Sequence, residues 1–325
     1  MTIALHSCDP HAEDSRPALS GSAIAENQVW IDLVTPSPEE IAFVERVTGF
    51  KVPTRDEIGE IEASSRLRSE NGALYFSTPV LFGAALGEPR ATPLGLILSK
   101  DRLVTVRFEE ITVFQNYKGQ IGKPDCVHPS APGAFVGLLE AIVDRYADHL
   151  ERVGAKLDQA SHMIFRDETG QGLGGMSLRE TIRMIGREGD FTSKVRDSLL
   201  GIGRIVPYAD TRGADWVPPE VHARFATLKQ DILSLNDYDA YLTAKVQFLL
   251  DATLGLVNID QNNIMKVLTV FTVAALGPTL VASWYGMNFK NIPEYDWSFG
   301  YPYALLLALA TGIGPLIWFR LRRWL

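Results

Sequence analysis

The chain has 325 residues, of which 46% are apolar and 22% charged, with a net charge of −8. This composition excludes a disordered or collagen-like chain, and the acidic balance argues against nonspecific binding to a nucleic acid backbone. The two cysteines, Cys8 and Cys126, lie far apart without a CxxC partner, which excludes a disulfide scaffold and a cysteine-rich zinc site.

Residues 1–28 are rich in Ala, Ser, Pro and Asp and are expected to form a flexible N-terminus. An α+β domain, a small mixed sheet with helices, is expected over 29–217. The run 29–34 reads as a strand. Thr35, Pro36, Ser37, Pro38, Glu39 and Glu40 then open a helix, with Ser37 as N-cap and Glu40 closing a capping box. Residues 73–83, 93–99 and 102–108 read as strands, with a turn at Ser99, Lys100 and Asp101. Helical patterns follow over 132–167 and 176–206, broken by the glycine-rich stretch 170–175.

No nucleotide or catalytic motif emerges from this region. GxGxxG, GxxxxGK[ST] and GxSxG are absent, and the glycines at 170–175 follow no strand. The histidines at 6, 11, 128, 149, 162 and 222 form neither HxxxH nor HExxH. The chain is therefore expected to be neither an enzyme nor the carrier of a cofactor.

A long helix is expected from 218 to 289, after the stop-and-start signal at Trp216, Val217, Pro218, Pro219 and Glu220. Phe225, Leu228, Ile232, Leu235, Leu242, Val246 and Leu249 recur at three- and four-residue steps, a seam for packing against the domain's own helices. The final part of the chain is strongly apolar. Lys266 and Lys290 bracket the uncharged window 267–289, and Asp296 and Arg320 bracket 297–319. Each window exceeds the about 20 residues a helix needs to cross the hydrocarbon core. The expected spans are about 267–287 and 301–320, joined by the aromatic loop 290–300 and closed by the basic segment 321–325. Arg320, Arg322 and Arg323 place both termini in the cytoplasm by the positive-inside rule, and the start of the chain does not read as a signal peptide.

A second stripe runs along the long helix: Ser283, Thr279, Leu276, Thr272, Leu268, Met265, Gln261, Asn258, Leu254 and Asp251 share one face. Repeated around an axis, hydroxyl rings would support hydrated ions, and Leu and Met rings would act as dewetting constrictions. The competing account is that the hydroxyls bond back to their own helix and serve as packing groups. At the end of the first span stand Tyr285, Gly286, Met287 and Asn288.

The tripeptide Gly286-Met287-Asn288, closing the penultimate apolar span, resembles the GMN motif of the CorA family of magnesium channels. The stretch 278–289, the runs Pro293-Glu294 and 297–302, the ending 322–325 and the earlier segments 29–34, 60–64 and 258–262 are similar to proteobacterial members. The resemblance implies a homopentameric funnel in the bacterial inner membrane, with the long helices lining the pore. It implies influx of Mg2+, with Co2+ and Ni2+ carried too, and Asn288 holding the hydrated cation at the pore entrance. Glu294 and Asp296 would concentrate cations at the mouth. Cytosolic carboxylates would regulate opening by binding divalent ions, with Asp231, Asp237 and Asp239 as candidates. Beyond self-assembly, the expected partners are the lipid bilayer and divalent cations, with no nucleic acid. The alternatives are a zinc transporter of the related ZntB type, against which Met287 argues, a non-conducting membrane sensor or scaffold, and a membrane-tethered enzyme.

Overall fold

The computed structural model describes residues 2–7, 28–60, 62–83, 89–119, 130–166, 178–289 and 292–322. The glycine-rich break at 170–175 lies outside the described residues, as do Lys290 and Arg323. Two compact units result, residues 1–249 and 250–325.

The first unit is built on a six-stranded mixed sheet ordered β1-β2-β6-β5-β4-β3. Its strands are β1 (Thr2–Ser7), β2 (Gln28–Val34), β3 (Leu67–Glu70), β4 (Ala73–Phe82), β5 (Arg90–Leu98) and β6 (Leu103–Arg107). Among the described strands only β2 and β6 pair in parallel, with Trp30 opposite Leu103. The short helices α1 (Pro38–Thr48), α2 (Arg55–Gly59), α3 (Ala63–Arg66) and α4 (Thr112–Lys118) sit between strands in the chain or just after the last of them. Three long helices follow: α5 (Ala131–Arg166), α6 (Leu178–Arg212) and α7 (Pro219–Tyr285).

Local chemistry explains several of these boundaries. Ser37 caps α1 with a reciprocal capping box, its backbone N–H donating to Glu40 at 2.7 Å. Thr54 and Glu57 repeat the device on α2. The β3–β4 hairpin turns on Asn71 and Gly72, both at positive φ, the pair that a two-residue hairpin loop favours. The terminal segment expected to be flexible contributes an edge strand: Thr2–Ser7 pairs antiparallel with β2. Helix α6 runs past Pro207 to Arg212 rather than stopping at 206. Ile205, Val206 and Ala209 are buried on either side of the proline, and their packing outweighs its missing N–H.

The strands alternate between two covered faces. Ile31, Leu33, Tyr75, Ile97, Val104 and Val106 pack with Phe43 and Val44 of α1 and Ile58 of α2. On the opposite face Phe76 stacks on Phe135 of α5 at 5.4 Å and meets Tyr208 of α6 edge-on. Phe135 in turn touches Phe225 of α7. The α7 seam is buried at Phe225, Leu228, Ile232, Leu242, Val246 and Leu249, so it is internal packing.

One charged cluster lies inside this core. Asp32 is fully buried. It accepts from Thr105 at 2.7 Å, and its Oδ2 lies 3.0 Å from Arg107 and 2.8 Å from Lys118. Trp30 donates its indole N–H to Thr105 at 3.0 Å, and Arg107 lies over the Phe114 ring. Burial pushes the Asp32 carboxyl up, but Arg107 and Lys118 outweigh it and hold the group below its ordinary value of 3.8. A carboxylate depressed in the folded state contributes stability that is present above its unfolded pKa and lost as pH falls through the folded one. Removing one partner of a buried ion pair strands the others, at a cost of about 3–5 kcal/mol. Asp32→Asn is expected to destabilise the protein by that order at pH 7, measured by denaturant unfolding. The gap to wild type should begin to narrow as pH drops below about 4, where Asp32 of the unfolded chain takes up its proton, and should close only once the folded carboxylate, held lower by Arg107 and Lys118, protonates too.

Candidate ion pathway

The second unit holds the end of α7, a turn, a short 3-10 helix at Pro293–Asp296 and α8 (Gly300–Leu321). Helices α7 and α8 are both long and apolar enough to cross a membrane. Their side chains are mostly exposed in the single chain, Phe271 to 72% and Leu306 to 66%. So much exposed apolar surface requires lipid or further protein to cover it.

Small residues bring the two helices together. A Cβ placed on Gly277 would lie 2.7 Å from both the Cβ and the carbonyl oxygen of Thr311. One on Gly312 would lie 3.0 Å from the Pro278 ring and 3.4 Å from the Ala274 carbonyl. Such contacts are how helices associate where lipid removes the hydrophobic drive between them. Val270 is buried, and Ala274, Gly277, Pro278, Val281 and Tyr285 are half-buried, which traces the covered face of α7.

The stripe from Met265 to Ser283 lies on the opposite face. At 100° per residue it is displaced by about half a turn from the line through Val270, Ala274, Gly277 and Val281. All ten stripe residues, Asp251, Leu254, Asn258, Gln261, Met265, Leu268, Thr272, Leu276, Thr279 and Ser283, are exposed in the single chain. The threonines do bond back: Thr272 Oγ1 donates to the Leu268 carbonyl at 2.8 Å and Thr279 Oγ1 to the Ala275 carbonyl at 2.7 Å. That leaves their outward lone pairs as acceptors. A hydrated cation presents hydrogens at its outer surface, so acceptors are the polarity it needs. Back-bonding is therefore compatible with a wetted stripe.

The helix ends in a tight turn. Gly286 donates its backbone N–H to the Ala282 carbonyl at 2.9 Å, and a Cβ on Gly286 would sit 2.9 Å from the same oxygen. A side chain there would force the turn open. Met287 and Asn288 follow directly, both exposed. Beyond them Glu294 is half-buried and Asp296 exposed. The Glu294 carbonyl lies against Gly300, where a Cβ would approach it to 2.2 Å, so the short helix seats on the start of α8.

The three regulatory candidates separate. Asp231 and Asp237 are exposed, whereas Asp239 is fully buried and receives a hydrogen bond from Arg196 Nε at 2.7 Å. Burial raises the Asp239 pKa and Arg196 only partly offsets it. Its role is to tie α6 to α7, which takes it out of the set of open carboxylates. Among the described residues no group of three or more His, Cys, Asp or Glu stands ready to hold a metal. Asp231 does share an electrostatic neighbourhood with Asp144, whose pKa is raised by burial and by Glu140, Asp231 and Asp148. The acids on α5 escaped the sequence reading; Glu140, Asp144 and Asp148 stand four residues apart on one helix face, a spacing that could have marked them. Gly277 and Gly312 also went unremarked, although glycines inside apolar spans are the usual sign of close helix contact.

Comparison with known proteins gives a consistent picture. The family described as CorA-like Mg2+ transporter protein matches residues 25–323. The magnesium transport protein CorA of Escherichia coli K12 is 31% identical over 313 residues, 96% of this chain and 95% of that protein. The solved structure of the CorA magnesium transporter from Methanocaldococcus jannaschii superposes with a TM-score of 0.78 at 20% identity, covering 100% of this chain and 99% of that one. The full-length CmaX structure gives a TM-score of 0.72 at 15% identity, covering 100% and 97%.

The packing of α7 on α8 makes a direct prediction. Gly277→Leu puts a branched side chain where even a methyl group meets Thr311. Purified protein carrying it should lose thermal stability, read as a lower melting temperature than wild type. Ala275→Leu, at an exposed neighbouring position, should be tolerated.

Proposed function

The chain belongs to the CorA family of Mg2+ transporters, and from that premise we propose that it is a homopentameric channel carrying Mg2+ into the cytoplasm along a pore lined by α7. The observation that carries this reading is the stripe itself. It lies on the α7 face opposite α8, alternates hydroxyl with bulky apolar side chains, and leads to Asn288.

Mg2+ dehydrates reluctantly and is normally handled with several waters retained. Five Asn288 amide oxygens could accept hydrogen bonds from those waters and hold the ion without stripping it. Glu294 and Asp296 would raise the local cation concentration before that ring. Below it, Thr279 and Thr272 present acceptors, and Leu276, Leu268 and Met265 form constrictions that close by dewetting. An inside-negative potential supplies about 4.6 kcal/mol per 100 mV for a divalent ion. No hydrolytic step is needed. Co2+ and Ni2+ carry the same charge on hydrated ions, so an entrance that reads the water shell would admit them too.

Orientation follows the basic C-terminal end, with both termini in the cytoplasm of a bacterial inner membrane. Gating by cytosolic divalent ions fits the exposed Asp231 and Asp237 better than the ion-paired Asp239. Asp231 faces the α5 acids, whose mutual repulsion a divalent ion would relieve.

Flux into liposomes tests the entrance. Asn288→Ala is expected to reduce Mg2+ uptake by roughly tenfold or more while the oligomer stays intact, since the amide ring is the one group asked to orient the hydrated ion. Wild-type flux in that variant would sink the proposal. Parallel assays with Co2+, Ni2+ and Zn2+ rank the ions, and a preference for Zn2+ would replace Mg2+ in this reading. Met265→Ser wets a constriction and should raise resting leak at high cytosolic Mg2+, measured as conductance in planar bilayers.

A further inference from the structure

A cavity of about 910 Å3 opens between α5, α6 and the start of β5. Its walls carry six cationic side chains: Arg90, Arg152, Lys156, Arg183, Arg187 and Lys194. Only two acids, Glu188 and Asp190, line it as well, and both are already engaged. Lys156 holds Glu188 at 2.6 Å and Lys194 holds Asp190 at 2.7 Å. Arg183 and Arg187 have no ion-pair partner among the described residues. The concentration of positive charge is notable in a chain whose net charge is −8.

The geometry is that of two facing ladders. Arg152 and Lys156 stand one turn apart on α5, and Arg183 and Arg187 one turn apart on α6. The Arg152 guanidinium is oriented from two sides: Nε donates to the Asp148 carbonyl at 3.1 Å, and the His149 Nδ1 meets its Nη2. Burial, then Arg152 and Arg145, push the His149 pKa down to about 4, so the ring is neutral at cytoplasmic pH and accepts from Arg152. Phe191 meets His149 edge-on at 5.4 Å, giving the cavity an apolar wall beside its charges.

We propose that this cavity binds a soluble anion carrying several phosphate groups, of nucleoside triphosphate size, in its metal-free form. The volume lies in the range of small-molecule sites, about 300–1,000 Å3, and leaves ample room beyond a single phosphate. Guanidinium groups match phosphate oxygens with paired N–H donors, and the ladders offer them on both walls. The apolar wall at Phe191 suits a base or other organic body attached to the phosphates. Metal-free polyphosphate carries more negative charge than its Mg2+ chelate, whose oxygens are partly occupied, so a site made of cations favours the free form. Free polyphosphate becomes more abundant as Mg2+ falls. Occupancy would then report a shortage of the transported ion, a consequence that rests on the transport reading, whereas the binding itself does not.

Titration calorimetry on the purified full-length protein, in metal-free buffer, tests the site with ATP and with tripolyphosphate as probes. Saturable binding is expected, and it should weaken by roughly tenfold or more in the double variant Arg183→Ala/Arg187→Ala, which removes two charge-assisted contacts from the exposed rim. Saturating Mg2+ should weaken it as well. Arg183→Gln alone gives the same readout, in smaller degree, should the double variant fold poorly. Absence of saturable binding, or affinity unchanged in both variants, overturns the proposal. So does displacement of ATP by an equal concentration of inorganic phosphate, which would mark a single-phosphate site. Binding of cardiolipin in nanodiscs without binding of ATP would assign the cavity to lipid headgroups and overturn it too. Because calorimetry needs no flux, protein that binds ATP yet carries no Mg2+ would sink the transport reading and leave this one standing.

Discussion

Where α7 meets α8 there is no room for a side chain. Thr311 occupies the space that a methyl group on Gly277 would need, and Pro278 and the Ala274 carbonyl press on Gly312. Between two helices in lipid, contact of this kind replaces the hydrophobic effect as the source of association, because leaving lipid for a neighbouring helix gains little by itself. Its consequence is directional. Once Val270, Ala274, Gly277 and Val281 are committed to α8, only the far side of α7 remains to face anything else. That side carries Thr272, Thr279 and Ser283 in alternation with Leu268 and Leu276. Hydroxyls that donate to their own backbone are tolerated in lipid, so they do not decide the question alone. Asn288 does more, because a primary amide at an exposed turn has two donors and an acceptor that call for polar company.

The molecule uses its carboxylates in two ways, and burial separates them. Asp32 and Asp239 are both fully enclosed, and each is met by an arginine. Asp32 has the fuller set, with Thr105 and Lys118 as well. In a dry interior such groups specify which strand and helix belong together, and they are silent toward ions in solution. Asp231, Asp237 and Asp296 are exposed. They contribute little to stability and remain free to act on cations, which is the division of labour a transport protein needs.

Much of the architecture was legible in the amino-acid order, and the rest was hidden for identifiable physical reasons. The two apolar helices were plain because Lys266 and Lys290, then Asp296 and Arg320, bracket charge-free windows long enough for a helix to cross a membrane. The start of α1 was plain because Ser37 and Glu40 act within one turn. The stripe on α7 could be counted at steps of three and four, but its relation to α8 could not. It depends on Gly277 meeting Thr311, residues far apart in the chain. Strand β1 is an edge strand whose partner lies beyond a polar segment, so composition suggested a loose terminus. The short helix α4 has no capping side chain at Ile111 to announce it. The β3–β4 hairpin was missed despite Asn71-Gly72, the clearest local signal available. Asp239 resembles its neighbours Asp231 and Asp237 in sequence. Only the arrival of Arg196 from another helix distinguishes it.

Helix α5 shows how one element can serve ligands of opposite charge. Its acids Glu140, Asp144 and Asp148 line a cavity of about 300 Å3 with Arg145 and Arg224, while Arg152 and Lys156 line the basic one. From Asp144 to Lys156 the helix rises about 18 Å at 1.5 Å per residue. The Debye length at physiological salt is about 8 Å, so the fields of these two end groups have largely decayed at each other, whereas Asp148 and Arg152, one turn or about 6 Å apart, stay within each other's reach. A cation drawn to the acids and a polyphosphate held by the bases would therefore sit at the two ends of this stretch and be coupled directly where Asp148 meets Arg152. They remain coupled in another way, through the solution, because each chelates the other there. A helix that carries both patches is placed to respond to the free concentration of each rather than to their complex.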